Sequence, residues 1–178
     1  MIANSGKDVI RLENVWKVFG ARAAEALSAI KADNLSKAEV LSRYNCVVGV
    51  ADASIAIREG EIFCIMGLSG SGKSTLVRHI NRLLEPTAGR IDVSGVDVMS
   101  LDAKALRALR SQKIGMVFQN FGLMPHRTVR DNVALPLEVR AVGKTERWRR
   151  AERAISLVEL DGWADKYAHE LSGGMQQR

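Results

Sequence analysis

Residues 67–75 read GLSGSGKST, three glycines leading into a lysine and two hydroxyl residues, and this run constrains the chain more tightly than any other part of it. It fits the P-loop pattern G-x-x-x-x-G-K-[ST]. It follows an apolar segment, residues 62–66 (IFCIM), and precedes a helical one, which is the strand, loop and helix context the pattern requires. Glycines here let the backbone turn its N–H groups inward, because a Cβ would hold phosphate oxygens away. The helix starting near Ser74 directs its positive end at the same place. Lys73 is positioned to set its ammonium between β- and γ-phosphates, and the Ser74 hydroxyl to ligate Mg²⁺. The expected cradle is therefore Gly67, Leu68, Ser69, Gly70, Ser71, Gly72, Lys73, Ser74 and Thr75.

Around this loop, strand and helix patterns alternate. Residues 9–19 mix β-branched and aromatic residues and predict a strand. A polar, alanine-rich stretch over 20–44 reads as an insertion, in which Ala38, Leu41 and Tyr44 suggest a short helix beginning near Ser36. Residues 53–57, a turn at 58–61 and residues 62–66 predict a hairpin-like pair whose second strand is fully buried, with Cys64 in the core. A helix over 76–84 stops before Pro86, residues 89–93 return as a strand, and a helix over 103–110 leads to a second buried strand over 114–118, ending at Gln119. The alternation implies an α/β fold with a mostly parallel sheet. From Thr128 the pattern is helical: Thr128 and Asp131 suggest a capping box, and residues 145–160 form the longest amphipathic segment. One domain is expected, a β-rich core over about 8–119 with the insertion at 20–49, and a helical subdomain over about 120–178.

A hydrophobic fraction of 47% and a charged fraction of 26% belong to an ordinary globular protein. No segment approaches the ~20 apolar residues that span a bilayer. Two cysteines, Cys46 and Cys64, are too few for a disulfide framework. The net charge of +6 raises nucleic acid as a partner. Much of the excess, however, sits in residues 144–153 (KTERWRRAER), where Trp148, Ala151, Ile155 and Val158 recur at helical spacing and the arginines take the other face.

A second anion-binding helix start is suggested by Ser172, Gly173 and Gly174 in LSGGMQQR. Gln119 lies at the C-terminal end of an expected strand, where α/β sheets place ligand contacts. GLSGSGKST, MVFQNFGLMPH and LSGGMQQR, in this order and spacing, together resemble the ATP-binding subunits of ABC transporters. NLSKAEVLSRY, GVADASIAIREGEIF, NRLLEPTAG and LSGGM, with Met175 in place of the more usual Gln, resemble most the import ATPases for glycine betaine, proline betaine and choline. The resemblance implies a P-loop core with antiparallel strands at its N-terminus and an attached helical subdomain. It implies that residues 67–75 bind ATP, that Gln119 senses Mg²⁺ and the γ-phosphate, and that Phe19 stacks on adenine. It further implies that Ser172 to Gly174 meet the ATP of a second subunit in a head-to-tail dimer. The implied partners are a membrane permease subunit and, indirectly, an extracytoplasmic solute-binding protein, with the chain peripheral on the cytoplasmic face of the membrane and no nucleic acid.

Within the family, the LSGG run is followed by a strand ending in Asp, a catalytic Glu and a switch His. No residue after Arg178 is available to match them, so ATP hydrolysis is expected of the full-length form and a nucleotide-binding but inactive state of these residues alone. His79, His126 and His169 all precede the signature and are expected to be packing or surface residues. The single turn after Gly174 is expected to fray. An ABC ATPase acting on nucleic acid is the remaining alternative, but residues 76–170 lack the sustained heptads of the repair type.

Overall fold

Strand β1, Asp8–Phe19, is the spine of the first part of the chain, and its sequence VIRLENVWKVF changes face midway. Leu12, Val15 and Val18 are all buried, at 2%, 0% and 1% exposure. Strict alternation would send Leu12 and Val15 to opposite faces. A bulge between them restores Val15 to the face of Leu12 and sends Trp16 and Val18 to the other. Asn14 enters the left-handed region there (φ 47°), as does Asp52 on the neighbouring strand (φ 47°), and the Asn14 amide donates to the Asp52 carboxylate at 3.0 Å. Asn and Asp tolerate that conformation better than other L-residues.

The computed structural model describes residues 7–118 and 122–178, and the chain divides into two compact units, 1–115 and 116–178. In the first, β1 is followed by α1 (Ala23–Asp33), α2 (Lys37–Tyr44), β2 (Val47–Arg58), α3 (Lys73–Ile80), β3 (Ala88–Val93), β4 (Val96–Asp97) and α4 (Ala103–Gln112). The sheet order is β2-β1-β3-β4, and every pairing is antiparallel. Leu12, Val15, Val50, Leu76, Ile91, Val93 and Val98 form its core.

The insertion covers the other face with a second core of Val18, Ala26, Leu27, Val40 and Cys46. Its first helix, α1, was not among the sequence expectations, although Ala23, Ala26, Leu27 and Ile30 carry the spacing of one. Its second, α2, begins where expected: Ser36 accepts from the Glu39 amide at 3.3 Å while Glu39 accepts from the Ser36 amide at 2.9 Å, a closed capping box. The buried face differs from the expected one, since Val40 is fully buried and Leu41 is 52% exposed.

Two expected strands do not form. Residues 62–66 and 114–118 are not in strand conformation; Ile62 is 92% and Val117 97% exposed, and Cys64, expected in the core, is exposed. A strand buried on both faces needs sheet neighbours and covering helices, and without them an apolar run has no reason to hold extended pairing. The parallel ladder that the alternation implied is accordingly absent among the described residues. Helix α3 also ends earlier than residue 84. Arg82 turns left-handed (φ 52°), its guanidinium donates to the Val98 and Leu101 carbonyls at 3.2 and 2.8 Å, and His79 Nδ1 donates to the Leu84 carbonyl at 2.6 Å.

The second unit consists of α5 (Val129–Val139), α6 (Lys144–Leu157), a 3-10 turn (Ala168–Glu170) and α7 (Gly173–Gln177). Thr128 caps α5 by accepting from the Asp131 amide at 3.2 Å. Val129, Ile155, Leu160 and Leu171 form its core. Two arginines of α6 take the expected solvated face, Arg149 and Arg150, which bind Glu146 at 2.8 and 2.6 Å and hold its carboxyl down at about 2, whereas Arg147 is partly buried and pairs with Glu138 at 3.5 Å. No helix among the described residues is long and apolar enough to cross a membrane.

Candidate functional site

The glycine run folds as a loop into α3, which begins at Lys73. Gly72 is the N-cap residue at φ 91°, a left-handed conformation that L side chains avoid. A Cβ there would overlap the Gly49 carbonyl oxygen of β2, so the loop closes against the strand because residue 72 has no side chain. Gly70 is likewise left-handed, at φ 77°. With glycine at the cap, no capping side chain accepts from the first amides of α3, and its first turn holds no acidic residue. The positive end of the helix is therefore left open for an external anion.

Lys73 folds back over the loop. Its ammonium donates to the Gly67 and Leu68 carbonyls at 2.7 and 2.6 Å and approaches the Ser71 hydroxyl at 3.4 Å. A cation thus sits at the mouth of a loop whose backbone is shaped by missing Cβ atoms, while the Ser74 hydroxyl one residue on is exposed. These groups open on a cavity of about 380 Å³ lined by Gly67, Ser71, Gly72 and Lys73 on one side and by residues 48–51 of β2 on the other. Amides, glycine backbone, an ammonium and a hydroxyl suit a polyphosphate. Among the described residues, no group of three or more His, Cys, Asp or Glu side chains could hold a metal ion.

Phe19, expected against adenine, ends β1 beside Val47, is 38% exposed, and carries the Lys17 ammonium 5.2 Å from its ring centroid. Its ring leans on Gly49, where a Cβ would come within 2.5 Å of it, so Phe19 and Gly72 contact the same glycine. Gly49 was missed in the sequence, because its role lies in two tertiary approaches. So was Lys37, which the insertion brings to the cavity. Gln119 lies outside the described residues. His79, fully buried on α3, is a packing residue; burial pushes its pKa down, and its Nε2 has no hydrogen-bond partner among the described residues.

Ser172, Gly173 and Gly174 open α7 in the second unit, and the Ser172 hydroxyl accepts from the Met175 amide at 3.3 Å. This short helix is tied down where fraying was expected. The Gln176 side chain donates to the Ala168 and Leu171 carbonyls at 2.8 and 3.1 Å, and Met175 packs on the local core. The loop before α5 is stapled by Asn132, another residue not singled out in the sequence. It accepts from the Met124 amide at 2.7 Å and donates to the Thr128 carbonyl at 2.9 Å.

Comparison with known proteins bears on this geometry. The sequence profile of the ABC transporter family matches residues 50–178. The chain is 48% identical over 169 residues to the glycine betaine/carnitine transport ATP-binding protein GbuA of Listeria monocytogenes, covering 95% of this chain and 42% of that protein. It is equally similar, at 48% over 169 residues and the same coverages, to the glycine betaine/proline betaine transport system ATP-binding protein ProV of Escherichia coli. The chain thus spans less than half the length of these relatives. Among solved structures, the dimeric post-hydrolysis state of the ATP-binding cassette MJ0796 bound to ADP and Pi superposes with a TM-score of 0.75 at 32% identity, over 94% of this chain and 65% of that one.

Proposed function

The chain belongs to the ABC transporter family, and from that premise we propose that it is the nucleotide-binding part of an ATP-driven importer of glycine betaine or related quaternary-amine solutes. The observation that carries this is the uncapped start of α3, closed against β2 by glycine backbone and topped by the Lys73 ammonium. Residues 67–75 would hold the triphosphate, with Lys73 exchanging its loop carbonyls for phosphate oxygens. Ser74, together with Gln119, would ligate Mg²⁺, which when bound offsets the charge of the phosphates. Phe19 would cover the base, and Ser172 to Gly174 would address the nucleotide of a second ATPase subunit. A membrane permease would be the partner that receives the energy, with a solute-binding protein choosing the cargo and the assembly lying at the cytoplasmic face of the membrane. Hydrolysis would belong to the full-length form, and this chain spans less than half the length of the relatives it matches. Lys73→Ala tests the phosphate cradle: charge-assisted hydrogen bonds are worth about 1.5–3 kcal/mol, so ATP should bind at least ~10-fold more weakly. Equal affinity for the substituted and parent chains would remove the basis of this function.

A further inference from the structure

The cavity beside the glycine loop receives a second cation, and it comes from the insertion. Lys37 lines the same cavity as Gly67, Ser71 and Lys73, across from residues of β2. It is the first residue of α2, directly after the N-cap Ser36. A cation at that end faces the positive pole of the helix, which disfavours it. Glu39 in the same turn offsets part of that cost but does not pair with Lys37. Glu39, the nearest acid of the helix, is held by the Ser36 amide and hydroxyl at 2.9 and 2.8 Å and by Arg43 at 3.3 Å. Lys37 is exposed and makes no hydrogen bond or ion pair with a described residue. The capping box is complete without it, and the buried member of the helix is Val40. The helix thus carries an unpaired lysine at its positive end, at the rim of a cavity suited to an anion.

We propose that Lys37 is a further nucleotide-binding residue, contacting the phosphate chain of a nucleoside di- or triphosphate held by residues 67–75. An anion in the cavity relieves the repulsion between Lys37 and the helix end, so the cost in the free protein becomes a gain on binding. This rests on the P-loop function proposed above, and the experiment separates the two. Labelled ATP is titrated into the parent chain, Lys37→Gln, Lys37→Arg and Lys73→Ala, and thermal unfolding of each is followed without nucleotide. Lys37→Gln should weaken ATP three- to tenfold and Lys37→Arg by less than twofold, with the unfolding midpoint of Lys37→Gln equal to or above the parent's. Affinity within twofold for Lys37→Gln, alongside a tenfold loss for Lys73→Ala, overturns the role of Lys37 and leaves the cradle standing. No loss for Lys73→Ala overturns the cradle and the role of Lys37 with it. A loss for Lys37→Gln accompanied by a lowered unfolding midpoint makes the lysine a structural residue and also overturns the inference.

Discussion

Replacing Gly72 by alanine adds one methyl group where the structure leaves no room for it. The backbone there has φ 91°, and an L-residue in the left-handed region costs about 1–2 kcal/mol. The new Cβ also falls on the Gly49 carbonyl oxygen, a backbone atom of a paired strand that cannot rotate away. Forcing apart packed groups costs typically about 1–3 kcal/mol. The expected loss is therefore about 2–5 kcal/mol, a large share of the ~5–15 kcal/mol by which native domains are stable. Urea unfolding followed by circular dichroism would measure it, with Gly115→Ala as the reference, because Gly115 is not left-handed and nothing lies within 4 Å of its added Cβ. The reference should stay within about 0.5 kcal/mol of the parent. A Gly72→Ala chain that loses less than about 1 kcal/mol, at unchanged denaturant slope, would show that the loop is not closed on β2 through that glycine.

The buried face of α2 is open to the same treatment: Val40→Ala should cost about 2 kcal/mol, for two buried methyl-sized groups and a residual cavity, whereas Leu41→Ala should be nearly neutral. Reversed costs in denaturant titrations would place the helix the other way round. His79 gives a pH dependence. Burial holds its pKa below the unfolded value near 6.5, so the unfolded chain binds the extra proton first. Stability is thus complete above about pH 6.5 and falls as pH drops toward the folded pKa. Unfolding midpoints at pH 7.5 and 5 should differ in the parent and converge in His79→Gln; an equal pH dependence in both chains would exclude the histidine as its source.

Several elements were legible because their causes are local. The helix over 37–44 is legible through Ser36 and the spacing of Ala38, Leu41 and Tyr44, and the helix over 129–139 through Thr128. The glycine loop is legible for the same reason, since its backbone conformation is a property of the residues in it. Residues 62–66 and 114–118 mislead because burial belongs to neighbours, and an apolar run says only that it would accept them. The bulge at Asn14 depends on Asp52, thirty-eight positions away, and so could not be read along the strand. Gly49 and Lys37 are illegible for a like reason. Each matters through what another part of the chain brings against it.

Phe19 and Val47 stand opposite each other in the β1–β2 ladder, so the insertion leaves the sheet and rejoins it at one point. Its two ends are already at hairpin distance, so lengthening the excursion alters the closure entropy only slowly, provided that Ala26, Leu27, Val40 and Cys46 still cover Val18. Within those limits the exposed residues of the insertion can change while the separate core of Leu12, Val15 and Ile91 is left as it is.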